Sequence, residues 1–590
     1  MFVQSYRDYI PIEIVRDALS RQSPDGYLIS NFLWDVCSVR RNKIVFKKTP
    51  SLRQESDPNS LRLLPFLEVL RTLDVCAQGF RRDSIQVGYF TRNFGYFSQR
   101  GIKGPRPLVG VGNLWEMLFT STHELVAQRY EKYGKIYGIF EGNRPVLQVG
   151  DPELIKQILV KDFDKFVDRR ADLKAKHPII DRLMANTRGD DWRQIRATVS
   201  PSFSSAKMRK MYPLMTQSLE ELLDVLDTYA KQRADIDGTD VFGCFTMDVI
   251  ASCAFATKTN AHKDPNDPFV KHGKQVLNVS FLTVLGLDLF PAYVLTMLNI
   301  KSRFNELAIQ FFFDKVRQVI KTRQNCGQKY NDFIDLMMTA AKGRDSRQYE
   351  NDIHEAHHEG LAAEKALWDT MPTNKWLTEN EMLAQGFLFF GAGYQSTASL
   401  MAFCAYELAV NARIQERLHE EVVSSDTTNG EIDYNLLARL PYLDAVLAET
   451  LRLHSPLPKL TRVASEDYQL GDTGITVQKG QSLDIPIYGI HYSEEYYPNA
   501  GAFIPERFLP ENRHNMTPYT YLPFGAGPRN CIGMRFALME TKLALFHMSR
   551  RFRFVRTSRT QVPLTLSKFA QAKFVKSLII GIESRDLFAK

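Results

Sequence analysis

One cysteine constrains this chain more than any other residue. Cys531 stands in the run Tyr521-Leu-Pro-Phe524-Gly-Ala-Gly527-Pro-Arg529-Asn-Cys531-Ile-Gly533-Met-Arg-Phe-Ala-Leu538, a glycine-rich turn that gives way to an apolar stretch. Taken singly, a cysteine in such a turn is usually one more buried side chain. Its surroundings point to a metal ligand instead. A ligating thiolate must stay charged, half-buried and protected from oxidation. Gly527 and Gly533 lack a Cβ, so the backbone can bend tightly and bring N–H groups and a cofactor face close to the sulfur. Ile532, Phe536, Leu538, Leu543 and Leu545 suit a helix beginning at the cysteine, whose N-terminal dipole favours a negative sulfur.

The pattern FxxGxRxCxG is filled by Phe524, Gly527, Arg529, Cys531 and Gly533, and in this it resembles the cytochrome P450 family. The resemblance implies haem b as cofactor, with Cys531 as the thiolate on the iron. It also implies that Arg529 reaches a haem propionate by a charge-assisted bond and that Phe524 covers the proximal face.

Composition agrees with one large enzyme. The chain has 590 residues, of which 44% are hydrophobic, and no repeat or Ser/Gly linker divides it after about residue 97. A net charge of +8 is modest for this length, and suits a docking patch or an acidic membrane surface rather than nucleic acid. The 7 cysteines are odd in number and irregularly spaced, which argues against a disulfide framework and for reducing surroundings.

Glu449 and Arg452 lie at i and i+3, one face of a helix, a spacing that by itself usually marks exposed neighbours. By the resemblance they meet Arg507 of Pro505-Glu506-Arg507-Phe508 in a buried triad that fixes the loop presenting Cys531. Upstream, Phe387-Leu-Phe-Phe-Gly391-Ala392-Gly393-Tyr394-Gln395-Ser396-Thr397-Ala398-Ser399 sits in a long apolar stretch. Glycine in a helix interior costs about 1 kcal/mol relative to alanine, so each must serve close packing or a bend. The segment is similar to the family's distal helix, where Ala392 and Gly393 would form a small-residue groove over the haem. There the family usually carries an acid followed by threonine; this chain has Gln395 and Ser396, then Thr397. Ser396 keeps the hydroxyl, whereas Gln395 holds water without ionising.

Trp192 and Arg196 follow the family's WxxxR spacing, one helical turn apart, and the resemblance directs both to a propionate. Arg169 and Arg462 are further propionate candidates on the same ground. Phe242-Gly-Cys-Phe-Thr-Met247-Asp248, Asp267-Pro268-Phe269, and the proline-rich Gly101-Ile-Lys-Gly104-Pro105-Arg-Pro107 resemble the microsomal animal branch that holds the broad-specificity drug and steroid oxidases and thromboxane synthase. Residues 97–590 are the part that resembles the family, a haem-thiolate catalytic domain. Residues 1–96 are read as an atypical extension without a clear membrane anchor, since they are mixed and charged. The 276–300 stretch contains one charge, Asp288, and is expected to dip into lipid or join the core rather than span a bilayer. The polar 342–374 segment, with His354, His357 and His358, is expected to be a solvated loop.

The expectation is a mainly α cytochrome P450 fold, a large helical haem domain with a small β-rich lobe. The function implied is insertion of one oxygen atom from O2 into a hydrophobic xenobiotic, steroid or lipid. Electrons would come from NADPH through NADPH-cytochrome P450 reductase, with cytochrome b5 as a further partner. That reductase would dock on a basic face bearing Arg535, Lys542, Arg550 and Arg551, and the location implied is the cytosolic face of the endoplasmic reticulum membrane. Two alternatives stand beside this: a haem-thiolate isomerase of the thromboxane synthase kind, motivated by Gln395, and a haem-binding protein without catalysis.

Overall fold

Apolar residues recurring at helical spacing become helix over most of the described chain, whose structure is a computed structural model. The chain divides into two units, Met1–Thr91 and Arg92–Lys590. In the first, the described residues are 88, 91 and the antiparallel pair β1 (Cys37–Arg40) and β2 (Lys43–Phe46). In the second, the structure describes residues 92–585 except 171–176, 278–303, 327–331, 342–376, 426–431, 567–574 and a few single positions. The amphipathic stretches of the extension, nearly all of 276–300, and the histidines of 342–374 therefore lie outside the described residues.

The longer helices of the second unit are α1 (Thr122–Tyr133), α2 (Gly189–Val199), α3 (Ser205–Gln232), α4 (Gly238–Phe255), α5 (Pro268–Leu277), α6 (Glu306–Cys326), α7 (Phe333–Ala341), α8 (Glu379–Val410), α9 (Ala412–Ser424), α10 (Pro441–Leu453) and α11 (Met534–Arg551). The central member is α8. Its first turn is closed by a capping box in which Thr378 Oγ1 accepts from the Glu381 N–H while the Glu381 carboxylate accepts from the Thr378 N–H. Its glycines admit neighbours. A Cβ on Gly386 would stand 2.8 Å from Val316 of α6, and one on Gly393 would stand 2.8 Å from Ile250 of α4. The helix α4 is apolar and long enough to cross a bilayer, yet it is mostly buried inside this unit, as a core helix should be.

A smaller lobe is built on a sheet of order β3-β4-β9-β6, from β3 (Ile136–Glu141), β4 (Arg144–Val149), β6 (Leu460–Val463) and β9 (Ser482–Ile485). The β4–β9 pair is parallel, with Leu147 opposite Leu483, and the outer pairs are antiparallel. Between β6 and β9, β7 (Tyr468–Gln469) and β8 (Thr476–Val477) form a small ribbon. A third sheet joins β10 (Phe552–Val555), β11 (Ile579–Ser584) and β5 (Ile236–Asp237). Helices and lobe each close over their own apolar cluster, one centred on α4 and α8 and the other on β3, β4 and β9. This is the helical body with a small β lobe that the sequence implied.

Candidate active site

The cysteine loop is held by its own backbone. The Cys531 N–H donates to Phe524 O at 2.8 Å, Gly525 N to Leu522 O at 3.0 Å, and Asn530 N to Gly527 O at 3.0 Å. Gly525 and Gly527 take φ of 73° and 71°, the left-handed region that favours glycine. At Gly527 space is decisive as well, because a Cβ there would overlap the carbonyl oxygen of Leu159. Gly527 thus seats the loop on the Gln157–Lys161 π-helical turn. Gly533 behaves differently: its φ is −88°, no left-handed bend is made, and it serves as the N-cap of α11. The helix accordingly starts at Met534, three residues later than expected, with Cys531 exposed just ahead of its N-terminus. Phe524 is half-buried against the helical core.

Four arginines converge beside this loop. Arg196 of α2, 3% exposed, donates to Asn530 O at 2.9 Å and to Asn530 Oδ1 at 2.8 Å, next to the cysteine. Arg169 donates to Arg529 O at 2.8 Å. Arg529 is 2% exposed; it donates to Val167 O at 2.5 Å and Thr187 O at 2.7 Å, and its guanidinium lies 4.8 Å from the ring centroid of Trp192. Trp192 is a buried platform for Arg529, packed also on Phe163. Arg462, 1% exposed, is carried by β6, and Val463 N donates to Asp168 O at 2.9 Å, which ties that strand to the segment bearing Arg169.

So many buried positive charges are costly to hold together. Burial first and then Arg169 and Arg462 pull the Arg529 pKa down to about 8, burial and then Arg169 pull Arg462 to about 9, and burial and then Arg196 pull Arg169 to about 10. Cys531 acts on Arg169 in the opposite sense, which puts the sulfur within its field. Guanidiniums stay protonated, so the downward pull reflects first the cost of burying them and then their mutual repulsion, both of which an anion would relieve. Asp168 brings a carboxylate to the cluster, 3.9 Å from Arg529. A cofactor carrying two carboxylates beside a thiolate-bound metal fits this donor set.

Behind the loop lies an ion network. Glu449 and Arg452, both 0% exposed, form a bidentate pair with two contacts of 2.7 Å. Arg507 Nε stands 3.5 Å from Glu449 Oε1, and Ile504 N donates to that same oxygen at 2.8 Å. The remaining Arg452 donors go to His491 O at 2.7 Å, Ala500 O at 2.8 Å and Ala502 O at 3.1 Å, while Arg507 binds Pro498 O and Asn499 O. The three residues meet, but what they clamp directly is the 491–507 segment. Two side chains missed by sequence reasoning carry the connection onward: His491 Nε2 accepts from Leu522 N at 3.0 Å, and Tyr521 donates to Ala448 O at 3.2 Å.

On the opposite side, α8 and α11 touch through Phe389 and Phe536, whose ring centroids are 5.2 Å apart. Ala392 is exposed on this mostly buried helix, and apart from Gly391's own stretch of helix backbone no described atom lies within 4 Å of a Cβ placed on Gly391. Ser396, one turn on, donates to Ala392 O at 2.5 Å. Gln395 Oε1 and Thr397 Oγ1 are buried and have no hydrogen-bond partner among the described residues. Gly393 faces α4 and so belongs to helix packing, not to the groove beside Ala392. Lys542, expected on an outer basic face, is 9% exposed and ion-paired with Asp444.

Comparison with known proteins accords with this arrangement. The family model described as Cytochrome P450 matches residues 102–577. The chain is similar to Cytochrome P450 3A16 of Mus musculus, 35% identical over 508 residues that cover 84% of this chain and 94% of that protein. It is likewise similar to Cytochrome P450 3A2 of Rattus norvegicus, 36% identical over 506 residues, with 84% and 94% covered. A cysteine in a glycine-built loop, a cluster of guanidiniums beside it and a family match across most of the catalytic unit lead to one conclusion: this chain belongs to the cytochrome P450 family, and it is a haem-dependent monooxygenase.

Proposed function

We propose that the chain oxidises hydrophobic small molecules, of the xenobiotic, steroid or lipid class, with Cys531 as the haem-iron ligand in a catalytic domain spanning 97–590. The observation that carries the assignment is the placement of Cys531 next to Asn530, which the buried Arg196 holds by two hydrogen bonds, and two residues from the Arg529 carbonyl that Arg169 holds. Bound there, thiolate-ligated haem supplies the reductive activation of dioxygen.

The chain's own residues divide the remaining work. Arg169, Arg196, Arg462 and Arg529 are the residues that would hold the two propionates, and Trp192 supports the guanidinium of Arg529. Glu449, Arg452 and Arg507 hold the scaffold behind the thiolate. The exposed Ala392 would leave room for a cofactor face, and Ser396 has its proton committed to Ala392 O, so its lone pairs are available to accept from water. Gln395 Oε1 can also accept, but an amide neither takes up nor releases a proton near neutral pH. Electrons come from NADPH through NADPH-cytochrome P450 reductase, with cytochrome b5 as a second donor. The docking face is drawn around Arg535, Arg550 and Arg551 of α11, with Lys542 removed from it by its ion pair. The chain works at the cytosolic face of the endoplasmic reticulum membrane, with the apolar 276–300 stretch as its candidate lipid contact.

Reconstitution with haem, reductase and NADPH tests this. Expected are the reduced carbon-monoxide band of a thiolate-ligated haem, product from a lipophilic panel, and loss of both in Cys531→Ala. Turnover without NADPH and reductase would favour the isomerase alternative, and a thiolate band without product from any substrate would favour a non-catalytic haem protein.

A further inference from the structure

We infer that His491 is a positioning residue for the metal-binding loop, the relay by which the buried ion network holds the backbone that presents Cys531. The inference rests on the assignment of Cys531 as ligand.

His491 closes the short helix Ile487–His491 and is 0% exposed. Both ring nitrogens are engaged. Nδ1 lies 3.0 Å from Arg452 O, and a carbonyl only accepts, so Nδ1 carries the proton. Nε2 lies 3.0 Å from Leu522 N, and a backbone N–H only donates, so Nε2 is the bare nitrogen. The two partners together impose one neutral tautomer. The backbone adds a third link, since Arg452 donates from its guanidinium to His491 O at 2.7 Å. Ring orientation is set by Tyr521, nearly parallel at 18° with centroids 5.8 Å apart, and by the edge contact of Tyr497 at 6.4 Å.

The path from the ion network to the sulfur then runs through named atoms. Arg452 bonds Glu449 and the carbonyls of His491, Ala500 and Ala502, while Arg507 bonds Pro498 and Asn499; none of these bonds falls in 521–531 among the described residues. Leu522 is where His491 takes hold of that loop. From there Leu522 O accepts from Gly525 N, and Phe524 O accepts from Cys531 N. Tyr521 to Ala448 is a parallel tie, one residue earlier. Removing the imidazole leaves the Leu522 N–H and the Arg452 carbonyl buried without that partner, at the foot of the ligand loop. A ligand's supporting hydrogen bonds typically govern metal retention by about tenfold or more, which sets the scale expected here.

The test compares wild-type holoprotein with His491→Phe, which keeps a ring against Tyr521 and removes both ring hydrogen bonds, and with Tyr497→Phe, which removes a hydroxyl bonded to Thr520 and leaves the ring edge on His491. H491F is expected to transfer haem to an apoprotein acceptor about tenfold faster than wild type. It should also show a thiol rather than thiolate carbon-monoxide band in part of its population, and lose hydrogen-exchange protection at the Leu522 amide. Y497F is expected to match wild type in all three. Wild-type haem retention with a protected Leu522 amide in H491F would overturn the inference. Should H491F not fold, exchange in the wild-type holoprotein decides: a Leu522 amide exchanging like an open backbone site excludes the bond. The ligand assignment fails separately, by absence of the thiolate band in wild type.

Discussion

The two sides of the candidate site are built on opposite principles. The cysteine side is fastened by directional polar contacts: three backbone bonds within the loop, four arginines around it and a bidentate ion pair behind it. The α8 side is fastened by shape, with Gly386 and Gly393 pressed against Val316 and Ile250, and its polar groups Gln395 Oε1 and Thr397 Oγ1 are left without partners among the described residues. A ligand atom must be held at one bond length, which needs hydrogen bonds; a substrate side needs room and available lone pairs, which apolar helix packing provides.

Breaking the polar side should have the largest effect. Glu449→Gln leaves Arg452 buried without its counter-charge, and we expect a loss of about 3–5 kcal/mol in stability, read by thermal unfolding, together with haem release. Arg529→Gln removes one guanidinium while relieving repulsion from Arg169 and Arg462, so the fold is expected to survive while haem affinity falls about tenfold in a titration of apoprotein. If affinity is unchanged, the cluster does not read propionates.

The substrate side should respond in chemistry and not in stability. Gln395→Glu puts an ionisable group where an amide stands, and the product formed per NADPH consumed is expected to rise several-fold, with little change in the carbon-monoxide spectrum. An unchanged ratio would mean that Ser396 and water already suffice. The smallest effect concerns α4, which backs α8. Burial first, and then Glu221, raises the Asp248 pKa to about 7. A carboxyl whose folded pKa is raised stabilises the fold when protonated, so that contribution is full below the unfolded value of about 4 and is lost as pH climbs from there to about 7. Asp248→Asn, which can keep the contact with Thr259, should flatten the decline between about pH 4 and 7 and gain on the order of 1 kcal/mol at the upper end.

Much of the polar side was readable from sequence because its residue types are rare in such settings and closely spaced: Cys531 with Arg529, Glu449 with Arg452, Trp192 with Arg196. Their meeting points were not. His491 and Leu522 are joined by a contact spanning 31 positions, and Arg196 reaches Asn530 across 334, separations that no local pattern encodes. Gly533 and Lys542 show the converse. A glycine beside a ligand looked like a bend and became a cap, and a lysine on the last long helix looked like surface until Asp444 on α10 enclosed it. Gly393 looked like part of an open groove because sequence shows a small residue without showing which neighbour occupies the space.

The seat of Gly527 on the Leu159 carbonyl has a consequence for how variants will be distributed. The obstacle is main chain, so altering the Leu159 side chain cannot make way for a larger residue at 527. A saturation library at Gly527 should return the parent residue alone, whereas Leu159, which causes the restriction, should accept other apolar side chains. The restriction and its cause would then sit at two positions of which only one is marked by intolerance, and a survey of substitutions would register the effect without locating its source.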